Sequence, residues 1–141
     1  MNVLDDGHTA RRWLPRFLSP RHAVVNYAIM RWQGIGDADT PGADAECRLH
    51  IACDGLCEQV PIAAAAFAAF GPPVVIACAD WACEWLEQRT IGDAHGLSVA
   101  HFEQALALAP SERYAALLVL DALAGALENS RLDQDRPYLG S

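Results

Sequence analysis

From Gln59 to Ala79 the chain runs for 21 residues without a charge, and Gly71-Pro72-Pro73 interrupts that run near its middle. A continuous apolar helix of about 20 residues would span a bilayer. Proline removes a helix-interior hydrogen bond and clashes with the preceding turn, so the segment divides into halves too short to cross. The reading is therefore two buried helices joined by a turn, with no membrane span.

Hydrophobic residues make up 52% of the 141 positions and charged residues 20%, a balance that supports a packed core rather than a disordered tail. The length suits one domain over residues 1–141, with less ordered ends near 1–8 and 130–141. No basic-then-apolar leader opens the chain at Met1-Asn2-Val3-Leu4-Asp5-Asp6, and five cysteines form no even-numbered disulfide framework. Both points favour a reducing, cytoplasmic setting. The lack of lysine beside abundant alanine fits a GC-rich bacterial genome.

Apolar residues recur at helical spacing, and no run alternates β-branched and polar residues in strand fashion. Start signals then divide the chain. Ser19-Pro20 opens a helix that Gly34 and Gly36 end, Thr40-Pro41 opens one reaching Val60, and Pro61 opens an alanine-rich one through Phe70. Pro72-Pro73 starts a helix through Arg89, Ser98 caps one through Leu108, and Ser111 with Glu112 begins the last, through about Asn129. A further turn is expected around Thr9 to Leu14. The expected fold class is all-α, a single bundle of about six helices with orthogonal or mixed packing.

On the helix expected over 40–60, Cys47, His50, Cys53 and Cys57 project within an arc of about 120°. Thiolate and imidazole are ligands for soft metals, so this face, with Cys78 opposite, is a candidate metal or thiol-redox site. The spacing opposes it, since no CxxC pair occurs and residues stacked along one helix cannot all reach one ion. The competing reading makes the cysteines small core residues and His50 a histidine at the core edge. Cys83 lies beside Asp80, Glu84 and Glu87, which disfavour its thiolate.

His95 and His101, with Asp93 and Glu103, bring acid, base and ligand types together, yet His101 falls on the polar side of its helix, where a solvated residue is expected. His22, Asn26 and Gln33 form a polar strip on the second expected helix. GxSxG, HExxH, GxxxxGK[ST] and GxGxxG are all absent, and no catalytic residue is assigned.

The net charge of −8 argues against nucleic acid and anionic lipid as partners. Five arginines lie within the first 31 residues, and the rest of the chain has five against sixteen Asp and Glu. The leading expectation is a non-catalytic interaction module (an adaptor, a chaperone-like component or an immunity-type protein) that binds a basic protein and takes no cofactor, with self-association open. Its contact residues would be Asp80, Glu84 and Glu87, opposite Trp81 and Trp85 on one helix, followed by Asp121 and Glu128. A metal or thiol-redox protein is the alternative, and a small enzyme using His95 or His101 comes third.

Overall fold

Residues 45–53, Ala-Glu-Cys-Arg-Leu-His-Ile-Ala-Cys, place Ala45, Cys47, Leu49, Ile51 and Cys53 at every second position, and all five are buried. That period of two belongs to a strand. The computed structural model describes residues 12–27, 32–55 and 57–135. It shows three strands, β1 (Gly34–Thr40), β2 (Ala45–Cys53) and β3 (Ile62–Phe70), paired antiparallel in the order β1-β2-β3. Among the described residues five helices accompany them: α1 (Leu14–Leu18), α2 (Pro73–Leu86), α3 (Ile91–His95), α4 (Val99–Leu106) and α5 (Arg113–Asp135).

The fold is therefore α+β, which corrects the all-α expectation. The segment expected as a helix over 40–60 instead holds a turn, the strand β2 and the connection after it. Thr40-Pro41 marks only a 3-10 turn, Pro41–Ala43, which Asp44 closes in the left-handed conformation at φ 53°. The alanine-rich segment after Pro61 is β3, although alanine favours helix. Its tertiary setting overrides propensity: Ala64, Ala65, Ala66 and Phe67 are consecutive buried residues, so the strand is covered on both faces. The helix expected from Ser19 does not form over residues 19–27, which carry bends and a 3-10 turn at Val24–Asn26, and of the turn expected at Thr9 to Leu14 residues 9–11 lie outside the described residues.

The remaining start signals correspond to real helices. Pro73 occupies the first turn of α2, Ser98 is the N-cap of α4, and a 3-10 turn at Pro110–Glu112 leads into α5. Helix α3 was not expected; its N-terminus is a capping box in which the Thr90 side chain accepts from the Asp93 amide and Asp93 accepts from the Thr90 amide.

Helix α5 packs along β1 and β2, α2 along β3, and the buried side chains between them form one hydrophobic cluster. The closest approach is at Gly36 of β1, where an added Cβ would strike the Ala122 carbonyl oxygen and the Ala126 amide of α5. Gly125 stands opposite, its own Cβ position 3.3 Å from the Gly36 Cα. The two glycines let helix and sheet backbones touch. On the outer side of the sheet, Asp37 and Arg48 form an ion pair across β1 and β2, and Ile35 and Phe70 are exposed. Three outward amides of β3 are occupied: Ile62 donates to the Arg89 carbonyl, Phe67 to the His22 carbonyl, and Ala65 to the Glu87 carboxylate.

Candidate functional site

Helix α2 turns Asp80, Ala82, Cys83 and Leu86 inward and leaves Trp81 and Trp85 half-buried, so Asp80, the first residue expected to meet a partner, is packed inside. Asp80 is 1% exposed. Its Oδ1 accepts the backbone amides of Arg21 and His22, each at 2.8 Å, and lies 3.3 Å from His22 Nδ1, while Oδ2 accepts from Arg16 at 2.8 Å. Two turns further along, Glu87 holds the other side of the same imidazole at 3.1 Å and accepts from the Tyr27 hydroxyl and the Ala65 amide, each at 3.0 Å. Burial, and then the hydrogen bond to Glu87, push the Tyr27 phenol well up, so it remains a donor. These two carboxylates fasten residues 16–27 to α2 and to the edge of β3.

The expected contact residues are thus not one patch. Asp80 and Glu87 are committed to this internal network, Glu84 is exposed and pairs with Arg16 at 2.7 Å, and Asp121 and Glu128 are exposed on α5. A hydrogen-bonded carboxylate inside the fold is a structural anchor, because burying its charge without such partners would be costly. Helical spacing alone did not reveal that the Asp80 side faces inward.

The expected metal face is also divided. Cys47 and Cys53 point into the core from β2, whereas His50 lies on the opposite face of the same strand. Six residues of strand separate the two thiols by roughly 20 Å, too far for one ion. Cys57 is exposed in the connection after β2, and Cys78 and Cys83 are buried on α2. Burial pushes the Cys47 thiol up to about 12, with a smaller contribution from Asp37. It also raises Cys78, helped by Glu112 and Cys47, and raises Cys83, helped by Cys47, Asp80 and Glu87. Cys47, Cys78 and Cys83 are therefore neighbouring neutral thiols between sheet and helix. Among the described residues, no group of three His, Cys, Asp or Glu side chains is arranged to hold a metal ion.

His50 stacks edge-on against Trp32, with ring centroids 5.3 Å apart, and its Nδ1 is buried without a hydrogen-bond partner. Desolvation, and then the Arg48 charge, lower its pKa, so the ring is neutral. The strip expected from His22, Asn26 and Gln33 does not lie on a helix; Gln33 instead caps β2 by accepting the Cys53 amide at 3.0 Å, and the Asn26 side chain lies outside the described residues. His101 is part of the α4 cap, its Nδ1 accepting the Ser98 amide at 3.0 Å, with its ring against Trp85. His95 is exposed at the end of α3.

A concavity of about 670 Å³ lies on the sheet, lined by residues that include Asp37, Asp39, Glu46, Arg48 and Phe70. It is open and shallow, and the Asp37–Arg48 pair neutralises part of its charge.

A model of the NifU-like N terminal domain matches residues 11–134, nearly the whole chain. The chain belongs to this NifU-like family. Its fold resembles a crystal structure described as a putative iron-sulfur cluster assembly scaffold protein for the SUF system from the thermophile Fervidobacterium islandicum AW-1. The two share 14% identity and a TM-score of 0.52, with 70% of this chain and 83% of that one covered. No curated protein matches the sequence. Membership in the NifU-like family overturns the leading expectation of an acidic interaction module, and the burial of Asp80 removes the first of its contact residues. No sequence motif used above pointed to this family. Among the described residues, no helix is long and apolar enough to cross a membrane.

Proposed function

We propose that this NifU-like chain works in iron-sulfur cluster assembly, engaging the proteins between which sulfur, iron and finished clusters pass. The observation that carries the reading is the family match over residues 11–134, supported by an α+β fold like that of a described assembly scaffold. The cargo in such a role is an inorganic cluster, and its partners are other proteins, among them a sulfur-donating enzyme and cluster-accepting apoproteins. This reading retains the metal chemistry of the alternative raised from sequence, but not the face made of Cys47, His50, Cys53 and Cys57 with Cys78, because β2 sends His50 away from the thiols.

The test is genetic. Deleting the gene in its host and growing the strain under iron limitation should lower the specific activity of iron-sulfur enzymes such as aconitase, with restoration by the intact gene in trans. Unchanged activities of such enzymes in the deletion strain would refute the role.

A further inference from the structure

We infer that this chain takes part in cluster assembly without holding a cluster on its own side chains. The inference rests on the proposed pathway role and deepens it, because it states what the chain contributes there. Iron-sulfur clusters are held by cysteine thiolates, commonly four, with histidine replacing some of them in certain centres. All five cysteines of the chain lie among the described residues, so no thiol is left to be supplied from elsewhere in the sequence.

Four of those thiols are core groups. Cys47, Cys53, Cys78 and Cys83 are each at most 3% exposed. Cys53 donates to the Gly55 carbonyl at 3.2 Å. Cys47, Cys78 and Cys83 do approach one another, but at the interface of β2 with α2, where Leu49, Val75, Ala79 and Ala82 are also 0% exposed. Admitting iron and sulfide there would require parting helix from sheet, against the best-packed layer of the molecule. Burial also favours the neutral thiol over the thiolate that iron requires.

Among the described histidines, His95 is exposed at the end of α3 and supplies one position at most, and the others do not make up the deficit. His22 is engaged on both ring nitrogens by Asp80 and Glu87, His101 caps α4, and His50 lies beneath Trp32 on the other face of the sheet. Cys57 remains as the one exposed thiol, able to supply a single coordination position. The chain thus has the family's fold with four of its five thiols serving as hydrophobic packing. A cluster could rest on it only if further ligands came from another protein.

The test uses the purified full-length chain, reduced and kept anaerobic, incubated with ferrous iron and sulfide and then desalted. Expected is no retained iron or acid-labile sulfide above a control without added iron, and no visible thiolate-to-iron charge-transfer absorption. Stoichiometric iron and sulfide that survive desalting would overturn the inference. Thiol counting with a disulfide dye gives an independent reading: one fast-reacting thiol in the native chain, five after denaturation, and none fast in Cys57→Ala. Several fast thiols in folded Cys57→Ala would also overturn it. The two ideas fail separately. A deletion strain with normal iron-sulfur enzymes removes the pathway role, whereas a stable cluster on the isolated chain removes only the present inference.

Discussion

Replacing Asp80 should destabilise the fold more than any other single surface-sized polar change. Its carboxylate is 1% exposed and receives two backbone amides, from Arg21 and His22, besides the Arg16 guanidinium. Asp80→Ala leaves both amides without their acceptor, at about 1–3 kcal/mol for each buried group. The Arg16 contribution is smaller, because that side chain is 25% exposed and keeps Glu84 as a partner. The expected total is about 3–5 kcal/mol, the range found when one member of a buried ion pair is removed. For a domain whose whole stability is about 5–15 kcal/mol, that is a large fraction. Asp80→Asn keeps an oxygen for the two amides but turns an NH₂ group toward Arg16, so its loss should be smaller, about 1–3 kcal/mol. Urea unfolding followed by circular dichroism measures both variants, with midpoints compared at a common slope. An Asp80→Ala loss below about 1 kcal/mol, or equal losses for Ala and Asn, would refute the account of Asp80 as the anchor of residues 16–27.

Other perturbations separate further parts of the argument. Gly36→Ala should cost about 3 kcal/mol or more by forcing α5 off β1, whereas Gly125→Ala, whose Cβ would sit 3.3 Å from Gly36, should lie near neutral because a gain of about 1 kcal/mol in helix propensity offsets the crowding; thermal melts of the two variants check the contrast. Thr90→Ala should cost about 1 kcal/mol through loss of the α3 capping box, read from the denaturation midpoint, and should leave the thiol count unchanged. The folded state lowers the His50 pKa below its ordinary 6.5, so the unfolded chain binds the proton more readily. The contribution is fully present above pH 6.5 and is lost as pH falls below that value; His50→Gln should flatten this part of the stability–pH curve, and parallel curves for the two proteins would contradict it.

What the sequence made legible follows physical lines. Pro73 and Ser98 start helices because a fixed φ and a capping oxygen act locally, wherever the chain lies in the fold. Residues 45–53 alternate as a strand should, but with Ala and Cys in most inward positions instead of Val and Ile, and Cys47, His50 and Cys53 also fit helical spacing. β3 was harder still. Ile-Ala-Ala-Ala-Ala-Phe-Ala-Ala-Phe has helical propensity and no period of two, because small side chains are needed on both of its covered faces. The candidate site suffered the same ambiguity: a helical wheel places Asp80 and Glu87 on a polar side, and only the fold brings Arg16, His22 and Tyr27 to meet them.

The occupied amides of β3 bear on how this protein avoids misassembly. A sheet edge with free N–H groups is a template on which a strand from another chain can add, the first step toward aggregation. Here the Arg89 and His22 carbonyls and the Glu87 carboxylate already fill Ile62, Phe67 and Ala65, so the alanine-rich strand offers little to a newcomer. Among the described strands the open rim is β1, and there Asp37 and Asp39 would bring carboxylates together if two copies met edge to edge. One rim is plugged from within and the other carries like charge, so the hydrophobic sheet is guarded on both sides.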